Sequence, residues 1–265
     1  MEIIIEDLEK HFPELIFKNE LGRGGDGVVF FVEEKGLRKK RALKILTNES
    51  AFSRAQFNKE GHVLKLLDHP NIVKYYGSGE RGKYSFLLME YCPNVSLLYR
   101  IAQRPFSDEA AATVVMKIAK TLQYLHDEKI LHRDIKPENV MITRRDEPKL
   151  VDFGLAFCAG EDVQELTAIG SEGYAAPELW TAPEKVCVQT DIYALGALLY
   201  TVLTQTFPDP HNVNFNHLYD RDSAFIHIII KAMSKDRSRR HKSGNEFAAE
   251  LAQIVANIGR PPPLW

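Results

Sequence analysis

Cysteine is scarce: Cys92, Cys158 and Cys187 are the only three in 265 residues, odd in number and far apart. A disulfide framework is therefore excluded as the source of stability, and the three read as free thiols of a reducing compartment. No apolar run approaches the roughly 20 residues that a membrane-spanning helix needs. The Ile3-Ile4-Ile5 cluster has acidic neighbours and no basic flank, so it lacks the pattern of a signal peptide. The basic residues form no long block and the formal net charge is -2. That excludes the electrostatic footprint expected of a nucleic-acid or anionic-membrane binder.

What is present is globular. Hydrophobic residues make up 45% of the chain and charged residues 26%, ordinary values for a packed protein. The length is near the upper size of a single core, so one compact unit or two apposed lobes are the natural options. The first third alternates apolar and turn residues in short runs, 28–32, 42–46, 72–76 and 86–91, which read as strands. Between them, residues 51–67 carry Phe57, Leu64 and Leu67 at helical spacing and stop before Pro70, which cannot continue a helix.

From Ser107 the character changes. Ser107-Asp108-Glu109 predicts a capped, acidic helix start, with the helix running through Leu125. Short strands follow at 140–143 and 149–151, then a loop-rich segment to Ala176, then apolar helices including 191–203 and 225–233. The fold class predicted is α+β, a small strand-rich N-terminal lobe and a larger helical C-terminal lobe that meet near Tyr91–Asn94. The closing Pro261-Pro262-Pro263-Leu264-Trp265 reads as a domain end, a polyproline II ligand being the other option.

Leu21-Gly22-Arg23-Gly24-Gly25-Asp26-Gly27-Val28-Val29 contains G-x-G-x-x-G. A dinucleotide site needs that motif between a strand and a helix. Here a strand-like run, Val28 to Val32, follows it, and no G-K-[ST] ending makes it a Walker loop. The pattern predicts a hairpin over phosphates, with missing side chains that let backbone N–H groups approach an anion.

Beyond the loop come, in order, Ala42-Leu43-Lys44, Glu60, His132-Arg133-Asp134-Ile135-Lys136-Pro137-Glu138-Asn139, Asp152-Phe153-Gly154 and Ala176-Pro177-Glu178. This ordered series resembles the signature set of eukaryotic-type (Hanks-type) protein kinases, over roughly Leu21 to Arg240. The resemblance implies a bilobal kinase fold, with a small antiparallel β-rich lobe of about residues 1–90, a hinge at about 90–94 and a larger mainly helical lobe of about 95–260. It also implies an enzyme that uses ATP and Mg²⁺ to phosphorylate serine or threonine of protein substrates, itself included. The lysine at Lys136 is what the resemblance links to the serine/threonine branch.

By the same resemblance, Gly22, Gly24 and Gly27 cover the phosphates, Lys44 pairs with the α- and β-phosphates, and Glu60 holds Lys44. Asp134 accepts or orients the proton of the attacking hydroxyl and Lys136 contacts the γ-phosphate. Asp152 and Asn139 supply hard oxygen ligands to the metal. Met89, Glu90 and Cys92 form the gatekeeper and hinge, with Val29 and Ala42 above the adenine and Met141 beneath it. Leu64, Tyr75, His132 and Phe153 stack as a spine anchored by Asp191, and Glu178 pairs with Arg240.

The segment from Asp152 to Glu178 is the implied activation loop, with Thr167 and Ser171 as candidate phosphosites. A phosphate on Thr167 would pair with Arg133. Phe157 and Gln56 stand where related kinases often carry further partners for it, so the implied phosphate pocket is thin. Two other departures are Asp26 at the tip of the glycine loop, expected to turn outward, and a short stretch between Phe207 and Asp236, where a docking helix is commonly found. The alternative reading is a pseudokinase, the same fold serving as a binding or allosteric module. Against it, Lys44, Asp134, Asn139 and Asp152 are all present. A small-molecule kinase would lack Ala176-Pro177-Glu178. The implied location is the cytoplasm, host cytoplasm included for a secreted effector, with a regulatory protein as a further partner.

Overall fold

The structure is a computed structural model describing residues 3–258 apart from 94, 144, 162–169 and 210–212. Thr167, the last residue of the expected hinge and the proline-rich tail lie outside the described residues. The chain divides into two compact units, Met1–Pro93 with Asp152–Leu155, and Asn94–Val151 with Ala156–Trp265.

The first unit is a five-stranded antiparallel sheet with two helices. Its strands are β1 (Leu15–Arg23), β2 (Gly27–Glu34), β3 (Lys40–Leu46), β4 (Tyr75–Arg81) and β5 (Tyr84–Glu90), in the order β1-β2-β3-β5-β4. Helix α1 is Ile5–His11 and helix α2 is Ala51–Leu66. Side chains alternate across a strand, so register decides which residues share a face. On one face Val28, Phe30, Val32, Leu43 and Ile45 form a core with Leu8 and Phe12 from and beside α1. On the other, Val29 lies opposite Lys44 and Phe31 opposite Ala42, while Ala42 and Lys44 lie opposite Met89 and Leu87. Helix α2 covers this second face: a Cβ on its Gly61 would touch Ser78 and Leu87.

The predicted strands at 28–32 and 42–46 fall inside β2 and β3, and the helix at 51–67 ends one residue early, at Leu66. The strand expected at 72–76 is displaced and runs from Tyr75 to Arg81. Ile72 and Val73 are buried, which gives them a strand-like composition. The Ile72 N–H, however, turns back to the His69 carbonyl in the bend around Pro70.

The second unit is mainly helical: α3 (Leu97–Gln103), α4 (Asp108–Asp127), α5 (Pro177–Thr181), α6 (Val188–Thr204), α7 (Ser223–Ala232) and α8 (Gly244–Asn257). Ser107 caps α4 by accepting the Ala110 N–H at 3.2 Å, as its composition predicts. Helix α6 is buried from Thr190 to Leu203, so it forms the axis of this unit and α4 and α7 pack on it. The short strands are β6 (Val95–Ser96), β7 (Ile130–Leu131), β8 (Val140–Ile142), β9 (Pro148–Leu150) and β10 (Phe157–Cys158). Strands β6, β8 and β9 form one small sheet, and β7 pairs with β10. Between Phe207 and α7, the described residues hold a 3₁₀ turn, Phe215–Leu218. No described helix is long and apolar enough to cross a membrane.

Candidate active site

The candidate residues fall into two clusters, one in each unit. In the first, Lys44 on β3 and Glu60 on α2 form an ion pair, Nζ to Oε2 2.5 Å, with Glu60 only 3% exposed. Burial alone would lower the Lys44 pKa, but the charge and hydrogen bond of Glu60 together with the charges of Asp152 and Asp26 hold Lys44 above the ordinary lysine value. Burial pushes Glu60 up from the carboxylate range; Lys44 opposes this and Asp152 adds to it. Two carboxylates around one ammonium keep Lys44 charged.

Asp152 has φ +65°, a backbone conformation uncommon for a residue other than glycine. Its Oδ1 accepts the Gly154 N–H at 3.2 Å, and Gly154 sits against the α2 backbone at Gln56. Phe153 and Leu64 are fully buried; Tyr75 is half-buried, with its hydroxyl 3.0 Å from Ser78 Oγ.

The glycine turn lies between β1 and β2, and the Gly24 N–H donates to the Gly27 carbonyl at 2.9 Å. Gly27 is required by the sheet, since a Cβ there would lie 2.7 Å from the Ile45 carbonyl oxygen. At Gly22 and Gly24 a Cβ would meet no protein atom within 4 Å, and neither has a positive φ. Neither packing nor backbone conformation accounts for glycine at those two positions. Val29, Ala42 and Met89 share the Lys44 face of the sheet. Glu90 donates its N–H to the Lys74 carbonyl at 2.8 Å, and Tyr91 stacks on Phe31 with ring centroids 4.2 Å apart. Cys92 is half-buried in the following segment.

In the second unit, Asp134 is the focus of three side chains. Its Oδ1 accepts the Ser171 hydroxyl at 2.9 Å. Its Oδ2 accepts from Lys136 Nζ and from Asn139 Nδ2, each at 2.8 Å. Lys136 also donates to Ser171 Oγ at 2.8 Å, closing a triangle. Asn139 donates to the Asp134 carbonyl as well, at 2.9 Å, so its amide nitrogen is turned to Asp134. Met141, on β8, is half-buried.

The loop that carries Asp134 is held from below by Asp191 on α6. Its carboxylate accepts the backbone N–H groups of His132 at 3.0 Å and Arg133 at 2.8 Å, and binds His126 Nε2 at 2.8 Å. Burial would raise the Asp191 pKa, but His126 first, then His132 and the Arg133 N–H, together hold it below the ordinary carboxylate value. Arg133 has φ +68°, and the two anchored N–H groups lead into that turn. Glu178 and Arg240 form a two-pronged pair at 2.6 and 2.9 Å, with the Arg240 side chain fully buried. His126 is the member of this cluster that the sequence reading missed. Its signal, a buried polar residue in the last turn of an otherwise apolar helix face, emerges only once α4 is placed against α6.

A protein kinase domain model matches residues 15–258. The chain belongs to the serine/threonine protein kinase family. It is 30% identical, over 88% of its own length, to the serine/threonine-protein kinase pkn2 of Myxococcus xanthus. It is 33% identical over 83% of its length to the probable serine/threonine-protein kinase zyg-1 of Caenorhabditis briggsae. With the serine/threonine-protein kinase PknB of Mycobacterium tuberculosis the identity is 29% over 91%. The kinase chain spans 31%, 31% and 42% of these curated relatives, so it corresponds to one part of each.

Proposed function

We propose that this kinase domain transfers the γ-phosphate of ATP to serine and threonine hydroxyls of protein substrates, including its own. The observation that carries the proposal is Asp134 bound on one oxygen by a hydroxyl donor and on the other by Lys136 and Asn139. A carboxylate in that state accepts a hydrogen bond from an alcohol and keeps a cation beside it, which is what positioning a nucleophilic hydroxyl near phosphate requires.

In this reading Lys44 binds the α- and β-phosphates as a point charge, oriented by Glu60. Gly22, Gly24 and Gly27 leave the backbone open to the phosphates; the absence of a packing reason for glycine at Gly22 and Gly24 supports a ligand's close approach there. Val29, Ala42, Met89, Glu90, Cys92 and Met141 are assigned to the adenine. Because the Glu90 N–H is committed to Lys74, the part of Glu90 falls to its carbonyl. Lys136 neutralises the γ-phosphate.

Kinases of this family use Mg²⁺, which when bound neutralises and aligns the phosphates. The donor set suits a hard cation: Asp152 offers carboxylate oxygen, and Asn139, its nitrogen facing Asp134, offers its amide oxygen. The domain assignment is one kinase domain over residues 1–265, with a hinge at about 90–94. No disulfide joins Cys92, Cys158 or Cys187, which fits a reducing compartment, and we place the domain in cytoplasm, that of a host included. A regulatory protein is a further partner in this reading.

The test is incubation with Mg²⁺, γ-labelled ATP and a basic protein substrate, beside an Asp134→Ala control, with mass-spectrometric mapping of the label. Label on serine or threonine that needs Mg²⁺ and disappears in the control supports the proposal. ATP binding without any label turns the reading to the pseudokinase alternative, and failure to bind ATP ends it.

A further inference from the structure

Asp26 is the residue of the glycine turn that fits the phosphate-binding role least, because a carboxylate there repels ATP. Its side chain is committed elsewhere. Oδ1 accepts the Ser53 hydroxyl at 2.5 Å and the Asn48 side-chain amide at 3.3 Å. Its backbone carbonyl accepts the N–H groups of Thr47 and Asn48 at 2.9 and 3.3 Å. The ring closes through the cap of α2. Ser50 Oγ donates to Ser53 Oγ at 2.9 Å and accepts the Ser53 N–H at 3.1 Å, and the Ser50 N–H donates to Asn48 Oδ1 at 3.1 Å. Ser53 is 2% exposed, so water competes little at the Ser53 end of its bond to Asp26, whereas Asp26 itself and its bond to Asn48 are exposed.

Ser53 and Glu60 are spaced i, i+7 on α2, two turns and roughly 10 Å apart on one helical face. Phe57, between them, is buried on that face, with its ring 6.0 Å from Lys44 Nζ. The helix is thus fastened to the sheet at two points, Asp26 of the β1–β2 turn to Ser53 and Lys44 of β3 to Glu60. The first point also suits a carboxylate for a second reason, since the N-terminal turn of a helix presents unpaired N–H groups and a partial positive charge.

We propose that Asp26 is a positioning residue: by holding Ser53 and Asn48 it latches the first turn of α2 to the glycine turn and thereby keeps Glu60 where it meets Lys44. The latch deepens the proposed function and rests on it for the role of Lys44. It also turns the Asp26 charge away to hydrogen-bond donors, which reconciles an acid in this turn with phosphate binding. Asp26 remains within electrostatic reach of Lys44, so releasing the latch would return a competing anion to the lysine.

The experiment compares Asp26→Ala, Ser53→Ala, their double variant and Asp26→Asn with the parent chain. Amide hydrogen exchange is measured without ligand, alongside KM for ATP and affinity for adenosine, which has no phosphates. Either alanine variant should speed exchange in the first turns of α2 by about tenfold and raise KM for ATP by a similar factor. Adenosine affinity and exchange in the sheet should stay unchanged. The double variant should do no more than either single one, and Asp26→Asn, whose amide oxygen still accepts the Ser53 proton, should keep most of the parent behaviour. Unchanged α2 exchange in Asp26→Ala, additive losses in the double variant, or equal losses in the sheet would each overturn the latch. If the parent chain binds no ATP the proposed function fails, while the exchange comparison still decides the latch.

Discussion

Ser171 donates its hydroxyl proton to Asp134 Oδ1 at 2.9 Å while accepting a hydrogen bond from Lys136 at 2.8 Å. It thereby holds Asp134 and Lys136 in one geometry, and in the proposed function that carboxylate is the acceptor for an incoming substrate hydroxyl. Ser171→Ala is expected to lower kcat by about tenfold with little change in KM for ATP, because the loss falls on orientation of the nucleophile's partner. A phosphate or Ser171→Glu at this position sets negative charge against Asp134 and should abolish turnover. Steady-state kinetics of the two variants, with label mapping at Ser171, check both statements.

Lys44 pairs with Glu60 at 2.5 Å and is within the field of a second carboxylate, Asp152, which also acts on Glu60. Lys44→Met should lower phosphotransfer by roughly a hundredfold or more. Glu60→Gln, which leaves the lysine but loosens it, should lose less and show the loss mainly in KM for ATP. A variant series of KM and kcat against adenosine affinity decides this, and equal effects of the two substitutions would contradict it.

Arg240 is fully buried and spends its guanidinium on Glu178, the Gln189 carbonyl and the Ser234 carbonyl. Arg240→Ala leaves a buried carboxylate without its cation, and should destabilise the domain by about 3–5 kcal/mol. Denaturant unfolding reads the loss directly. Glu178→Ala with Arg240→Ala should cost less than the two single losses added together.

Asp7, on α1, accepts the Tyr84 hydroxyl at 2.7 Å and an ion pair from Lys83 at 2.9 Å. The Tyr84 hydrogen bond, then Lys83, lower its pKa from 3.8 to about 2. A depressed carboxylate stabilises the fold above its unfolded pKa and loses that contribution as pH falls through the folded value. The difference in thermal midpoint between the parent and Asp7→Asn should therefore be full above about pH 5 and shrink between 3.8 and about 2. A difference that grows on acidification would refute this.

Much of this kinase is legible in its sequence because the information is local. The apolar runs that become β2 and β3, the serine that caps α4 and the proline bend after α2 act within a few residues of themselves. The order and chemical identity of Lys44, Glu60, Asp134, Asn139 and Asp152 are likewise properties of the chain itself. Helix α1 escaped because it is seven residues long and buries only Leu8 within its span, too little for a periodicity to register.

Tertiary structure alone decided what those residues touch. Asp26 and Ser53 are 27 positions apart, and their hydrogen bond exists because the β2–β3 register places Gly27 opposite Leu46, just before α2 begins. His126 meets Asp191 across 65 positions because α4 packs on α6. Ser171, a candidate phosphosite by its place in the chain, lies on Asp134 because the fold returns the segment before α5 to the loop that follows β7. A side chain's chemistry is carried by its own residue, whereas its partner is set by strand register and helix packing, which no local window contains.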